Sequence, residues 1–475
     1  MKLSSVIRVA LFVSGTLLMW MLLGAAGVYG HASEEKLSFG RFGAVTVYRP
    51  SEKPSHVVLF VSGDGGWNLG VVDMARELAG LDALVVGIDI THYLRNLAKG
   101  PERCSYPAAD FEDLSQFVQK KIGMPTYVSP VLVGYSSGAT LVYAILVQAP
   151  PNTFQAALSL GFCPDLPLTK PMCRGNGLEW KPGPKGRGVL FQPSSHLTAP
   201  WVAFQGTIDQ VCDPGATEAY VKQVRGGEIV LLPRVGHGFS VPRNWLPQFK
   251  EAFRRIVSIP EATRVAEEAD IRGLPLVELP ASVVGGDTLA VIVTGDGGWA
   301  GIDRSIGEAL AKQGIPVVGL NSLQYFWTAR TPELASADLA RILRHYLVAW
   351  DKKRALLLGY SMGAEVLPFL VARLPTDLRA VVRLVTLLGP EKSANFEFHL
   401  AYWLGGGSGS SAQPVLPEAQ KLKGMRILCI YGEEERDSLC RLLPTGLAEV
   451  KALRGAHHFG GNYQAIAEMI LKEAQ

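Results

Sequence analysis

The chain carries one strand–turn–helix peptide twice. "VLVGYSSGATLVYA" in the first half and "LLLGYSMGAEVLPF" in the second each place an apolar run, then Gly-Tyr-Ser-x-Gly-Ala, then a second apolar run. Upstream of each lies another repeated peptide, "HVVLFVSGDGGWNLG" and "LAVIVTGDGGWAGID", an apolar run of strand length that ends in Gly-Asp-Gly-Gly-Trp. Continuous apolar runs of that length are what parallel strands buried on both faces require. Between and after these landmarks the halves keep step. Helical stretches at Val71–Ala79 and Ile302–Gln313 precede strands at Ala83–Ile90 and Pro316–Leu320. Longer amphipathic helices follow at Phe111–Lys121 and Pro332–Trp350, and late strands "WVAFQG" and "RILCIYG" precede a segment that carries histidine. Strands alternating with helices over about 200 residues predict a doubly wound parallel α/β sheet, built twice.

With 475 residues, 48% of them hydrophobic, the chain can fill two such cores. The expected domains are 36–260 and 271–475, joined near Ala262–Gly273, where "EATRVAEEADIRG" is charged and short of large apolar residues. The stretches Cys163–Thr198 and Gly389–Lys421 are too long for ordinary loops and are expected to cap the sites, with "GGGSGSSAQP" in the second expected to be mobile. A net charge of +3 without a basic run argues against a nucleic-acid partner. At the N-terminus, Lys2 and Arg8 precede the apolar stretch Val9–Val28 and the small-residue stretch Gly30-His31-Ala32, so residues 1–32 are expected to be a signal peptide. An uncleaved anchor is the alternative, since about 20 apolar residues suffice to span a bilayer. Either form places the rest of the chain in the periplasm or at the inner membrane. Six cysteines, four in the first half and two in the second, suit an oxidising compartment and allow pairing within each half. Their spacing matches no metal site, and no metal or organic cofactor is expected.

Gly-x-Ser-x-Gly between a strand and a helix lifts a serine hydroxyl above the sheet on a strained turn, with a helix N-terminus behind it. A serine nucleophile needs a histidine base and an orienting acid, which in this topology follow in the order acid, then histidine. In the second half Ser361 is the candidate nucleophile. "YGEEERDSLC" offers Glu433, Glu434, Glu435 and Asp437, and "GAHHFGG" offers His457 and His458. Aligning the halves through Phe239 and Phe459 favours His457. For the acid, counting from Gly206 and Gly432 favours Glu435, whereas counting back from Cys212 and Cys440 favours Asp437. Asp437 is preferred, with Glu435 the alternative. Gly297, Gly298 and the Met362 N–H are the expected oxyanion donors. The first half offers a second candidate site in Ser136, Asp209 and His237.

These peptides, with "NFEFHLAYWLG" and "GAHHFGGNY", resemble the VirJ/AcvB family of bacterial virulence proteins, and the duplicated layout resembles the family's longer, AcvB-like members. The resemblance implies an exported α/β-hydrolase that removes the aminoacyl group from aminoacylated phosphatidylglycerol, chiefly the lysyl form. It puts that activity on Ser361, Asp437 and His457; the first domain, with its own Ser136, Asp209 and His237, is expected to be auxiliary or a second site. Expected partners are the aminoacylated lipid and the membrane surface, and secretion-system components if the family's link to virulence extends to transport. A lysyl headgroup carries two positive charges, so Asp296, Asp303, Glu365, Glu391 and Glu397, in or beside the motif loops, are candidates to face it. A general carboxylesterase or peptidase, and a binding or secretion-accessory protein on a hydrolase scaffold, are the competing readings.

Overall fold

The computed structural model describes residues 33–475 apart from 51–52, 100–102, 184–185, 260–263, 266–269, 284 and 399–411. The expected signal or anchor segment and most of the glycine- and serine-rich stretch lie outside the described residues. Among the described residues no helix is long and apolar enough to cross a membrane.

Two eight-stranded sheets share one plan. The first contains β1 (Ser33–Phe39), β2 (Gly43–Arg49), β3 (His56–Val61), β4 (Ala83–Ile88), β5 (Val131–Tyr135), β6 (Ala156–Leu160), β7 (Trp201–Gly206) and β8 (Gly227–Leu232), in the order β1-β2-β4-β3-β5-β6-β7-β8. The second contains β9 (Arg264–Val265), β10 (Pro275–Leu279), β11 (Thr288–Val293), β12 (Val317–Leu320), β13 (Arg354–Tyr360), β14 (Val382–Leu388), β15 (Ile427–Gly432) and β16 (Glu449–Leu453), in the order β9-β10-β12-β11-β13-β14-β15-β16. In each sheet six strands run parallel, and two more join antiparallel at one edge. This is the α/β-hydrolase arrangement, made twice.

Each half opens on a peptide of strand character, "FGAVTVYRP" and "LPLVELP", which form β2 and β10, and one further strand joins each at the edge. The additional strands are β1, which starts ahead of the expected boundary at 36, and β9, which falls inside the expected linker and pairs with β10. Two residues among charged neighbours give no alternation to read, so β9 left no periodic signal.

Main helices cover both faces: α1 (Leu69–Ala79), α2 (Pro107–Ile122), α3 (Ser137–Gln148) and α4 (Leu246–Val257) in the first domain, and α5 (Gly301–Lys312), α6 (Pro332–Ala349), α7 (Met362–Ala372) and α8 (Tyr463–Ala474) in the second. The strands feed two cores by alternation. In β3, Val57, Leu59 and Val61 pack to one side and Val58 and Phe60 to the other. In β11, Leu289, Val291 and Val293 oppose Ala290 and Ile292 in the same way.

Each Gly-Asp-Gly-Gly-Trp turn is anchored by its tryptophan. The Trp67 indole lies over Gly87 of β4 and the Trp299 indole over Gly319 of β12, so close that a Cβ at either glycine would fall 2.1 or 2.3 Å from the ring.

Disulfides stay within each domain: Cys104–Cys173, Cys163–Cys212 and Cys429–Cys440. The first two tie the three-stranded cap (Asp165–Leu166, Trp180–Pro182, Val189–Phe191) to the body of the first domain.

The domains are docked. Lys120 at the end of α2 reaches the Trp327 carbonyl at 2.5 Å and Glu397 at 3.1 Å, and the Trp327 indole N–H donates to the Met124 carbonyl at 2.7 Å. Tyr127, Leu323, Trp327 and Phe398 form a small buried cluster across the junction.

Candidate active sites

Both serines sit on the turn the sequence predicts. Ser136 has φ 56° and ψ −124°, and Ser361 has φ 51° and ψ −122°, a conformation that costs an L-residue energy and is held by its surroundings. The flanking glycines make the turn possible. A Cβ at Gly138 would lie 2.4 Å from the Ser62 carbonyl oxygen, and one at Gly363 would lie 2.0 Å from that of Val293. The next residues, Ser137 and Met362, begin α3 and α7, so their N–H groups have no partner within the helix and are available as oxyanion donors.

In the first domain the triad is complete. His237 Nε2 lies 2.9 Å from Ser136 Oγ, and His237 Nδ1 lies 2.8 Å from Asp209 Oδ2. Burial pushes the Asp209 carboxyl up, but hydrogen bonds from the Cys212 N–H, His237 and the Val211 N–H outweigh it and hold the group below its ordinary value. Asp209 is therefore ionised and locked, as an orienting acid must be. Asp209, Cys212 and His237 also lie close enough together to hold a metal ion. The geometry accounts for them otherwise, because Cys212 is in a disulfide and both His237 nitrogens are engaged.

In the second domain His457 Nδ1 lies 2.5 Å from Glu435 Oε1, and the Gly432 N–H donates to Glu435 Oε2 at 2.6 Å. Burial raises the Glu435 carboxyl, and the bonds from His457 and Gly432 outweigh that and lower it. Asp437, preferred from the sequence, is 86% exposed and paired at 2.6 Å with Lys392. The acid beside His457 is thus Glu435, which corrects the expectation. The cysteine landmark misled because Cys212 and Cys440 are not equivalent. Cys212 bonds to the cap at Cys163, whereas Cys440 closes a short loop onto Cys429 of β15, and the second loop is two residues longer between Gly432 and its cysteine.

His458 contacts the Tyr360 hydroxyl at 3.2 Å, and burial, with His457 beside it, lowers its pKa. Among the described contacts there is no hydrogen bond between Ser361 and His457; such bonds often tighten only when substrate binds.

The oxyanion turn is narrower than expected. The Gly298 N–H donates to the Gly295 carbonyl at 3.1 Å, closing the turn, so Gly298 is not a donor, and Gly297 and Met362 remain. Gly66 does the same with Gly63 in the first domain.

Several supporting residues escaped sequence reading. The Tyr135 hydroxyl donates to the His237 carbonyl at 3.0 Å, and that of Tyr360 to the His457 carbonyl at 3.4 Å, so the tyrosine of each Gly-Tyr-Ser motif holds its histidine loop. Its recurrence in both copies was the available signal. Phe239 and Phe459, the landmarks that aligned the histidines, share a positive φ of 46° and 50°.

The electrostatic surroundings of the two serines differ. Glu365, one turn after Ser361, is raised well above its ordinary value by burial and then by Glu391 and Asp296. Asp303 lies buried under the oxyanion turn within 3.5 Å of the Gly295 N–H and is also raised well above its ordinary value, chiefly by burial. The first domain adds to this field. From α2, Glu112 is pushed up to about 8 and Asp113 to about 7, by burial and then by neighbouring acids that include Asp296. Asp113 Oδ1 is buried without a hydrogen-bond partner. A cavity of about 260 Å³ at the junction is lined by Glu112, Asn152, Gly297, Trp299, Asn321 and Leu323, among others, and Asn152 donates to the Trp299 carbonyl at 2.9 Å. Glu397, by contrast, is engaged by Lys120.

The sequence profile of the family described as bacterial virulence protein (VirJ) matches residues 55–162 and 287–475, more than half of the chain. The chain belongs to that family. A comparison with curated proteins returns no match. Among solved structures it is similar to Est1E from Butyrivibrio proteoclasticus (12% identity, 48% of this chain and 100% of that one, TM-score 0.32). It is also similar to XC6422 from Xanthomonas campestris, described as a serine hydrolase without lid (19%, 48% and 94%, 0.30). A third is an esterase from Thermogutta terrifontis (16%, 48% and 94%, 0.33). At these identities and scores none of them bears on the substrate.

Proposed function

We propose that this VirJ-family chain is an exported serine esterase whose second domain hydrolyses the aminoacyl ester of aminoacylated phosphatidylglycerol, with the lysyl form as the preferred substrate. The observation that carries this reading is a serine elbow with a carboxylate-bound histidine, set among acids that burial and mutual repulsion hold above their ordinary values: Glu365 and Asp303 in the second domain, and Glu112 and Asp113 of the first, which Asp296 repels. Such a field is unfavourable until a cation enters, and a lysyl group brings two.

Ser361 Oγ attacks the aminoacyl carbonyl while His457, oriented by Glu435, takes its proton. The Met362 and Gly297 N–H groups stabilise the oxyanion, and the lipid hydroxyl leaves with the proton from His457. Water then releases the amino acid by the same route in reverse. A lipid ester has to be met at a membrane surface, which fits a leader or anchor at residues 1–32 and a periplasmic location. Incubating purified residues 33–475 with vesicles of lysyl-, alanyl- or unmodified phosphatidylglycerol, followed by lipid separation, tests the proposal. Free lysine and restored phosphatidylglycerol are expected, and unchanged lysyl lipid would contradict it.

A further inference from the structure

We propose that the first domain is a second, independent carboxylesterase, with its Ser136–His237–Asp209 triad acting on esters whose acyl group is apolar. The triad is already hydrogen-bonded from end to end, at 2.9 and 2.8 Å, on a serine turn with the same backbone angles as the second. A scaffold or binding domain has no use for an ionised, locked Asp209 holding a histidine against a strained serine.

The rim of the site indicates the class of ester. The loops at the C-terminal ends of β3, β7 and β8 carry the oxyanion turn, Asp209 and His237, and the level register of the parallel strands brings these ends together. These loops, with the first residue of α1, present Leu69, Ile208, Val211 and Val241, which are 85%, 60%, 67% and 41% exposed. Counting from Trp67, Gly206 and Phe239 and from their partners Trp299, Gly432 and Phe459, the second domain has Gly301, Glu434, Asp437 and Gly461 at those positions. An apolar rim in one copy is replaced by glycines and carboxylates in the other. Four large side chains around a triad offer an acyl chain a surface on which to leave water, and they give a cationic headgroup nothing to pair with.

The step balances without a further reactant. Ser136 Oγ bonds to the acyl carbon and gives its proton to His237 Nε2. The ester C–O bond breaks and the alcohol leaves with that proton. Water then attacks the acyl-serine, returns a proton through His237 and frees the carboxylic acid. The Ser137 N–H is the oxyanion donor that α3 supplies.

The test uses residues 33–475 with Ser361→Ala, so that only the first triad can act and failure of the lysyl-lipid reading leaves the result intact. A fluorophosphonate probe should label Ser136, and p-nitrophenyl hexanoate should be hydrolysed. Adding Ser136→Ala should remove the label and lower turnover by about 10³-fold or more. In the Ser361→Ala background, I208S/V211S should lower kcat/KM for the hexanoate about tenfold relative to the acetate, about one buried side chain's transfer energy. Fatty acid released from phosphatidylglycerol vesicles would identify a lipid-borne ester, and hydrolysis of dispersed ester alone a soluble one. A folded Ser361→Ala protein that neither labels nor hydrolyses would overturn the proposal, as would a hexanoate-to-acetate ratio unmoved by I208S/V211S.

Discussion

The two domains repeat one backbone and surround it with different chemistry. Strand order, serine angles, the tryptophan under the oxyanion turn and the tyrosine on the histidine loop are the same in both. At four matched rim positions the first domain has Leu69, Ile208, Val211 and Val241, and the second has Gly301, Glu434, Asp437 and Gly461. Duplication therefore preserved what holds a nucleophile in place and released what selects its substrate, because the loops at the strand ends can vary without disturbing the two-faced core beneath them.

The comparison breaks most easily at the acid. Glu435→Gln should lower kcat for lysyl-lipid hydrolysis by about 10³–10⁴-fold, since the amide cannot stabilise the imidazolium. Asp437→Asn should stay within about twofold, its carboxylate being exposed and spent on Lys392. Similar losses in both variants would mean that the histidine is oriented by neither residue as described.

A smaller effect sharpens the contrast in charge. Glu365 is held well above its ordinary value, so it is neutral at acidic pH and can pair with an ammonium group only as pH rises through that raised value. KM for lysyl lipid should therefore fall as pH rises through that raised value. Glu365→Gln should flatten the profile and cost about tenfold in kcat/KM, roughly one charged hydrogen bond, while the first domain's esterase activity keeps its own pH profile. An unchanged profile in the variant would remove Glu365 from substrate binding.

The smallest effect concerns the junction. Glu112 is raised to about 8 in the folded chain, so the folded state binds a proton that the unfolded state has already lost. Stability then declines as pH climbs from the ordinary glutamate value toward 8. Glu112→Gln should remove that decline and raise Tm at pH 8.5 relative to the parent, by about 2–4 °C for each kcal/mol relieved, with little change at pH 4. Equal Tm values at both pH values would show that the Glu112 carboxyl is not confined as described.

How much of this was legible in the sequence depended on periodicity. Apolar runs, the Gly-Tyr-Ser turns and the paired Phe239 and Phe459 have local causes, and a single peptide shows them. The choice between Glu435 and Asp437 hung on the partner of Cys440, a three-dimensional fact. The repulsion of Glu112 and Asp113 by Asp296 joins residues roughly two hundred positions apart in sequence, and the bond of Trp327 to Met124 does the same. No spacing rule reports surfaces that meet only when two finished domains dock. The apolar rim was visible residue by residue, but Leu69, Ile208, Val211 and Val241 become one feature only after the strands are in register.

The most direct test is one protein and two substrates. With Ser361→Ala in residues 33–475, release of lysine from lysyl-phosphatidylglycerol vesicles should fall by about 10⁴-fold or more, while hydrolysis of p-nitrophenyl hexanoate continues at the parental rate of the first site. Sustained lysine release together with lost hexanoate hydrolysis would contradict the account by reversing the assignment of the two serines.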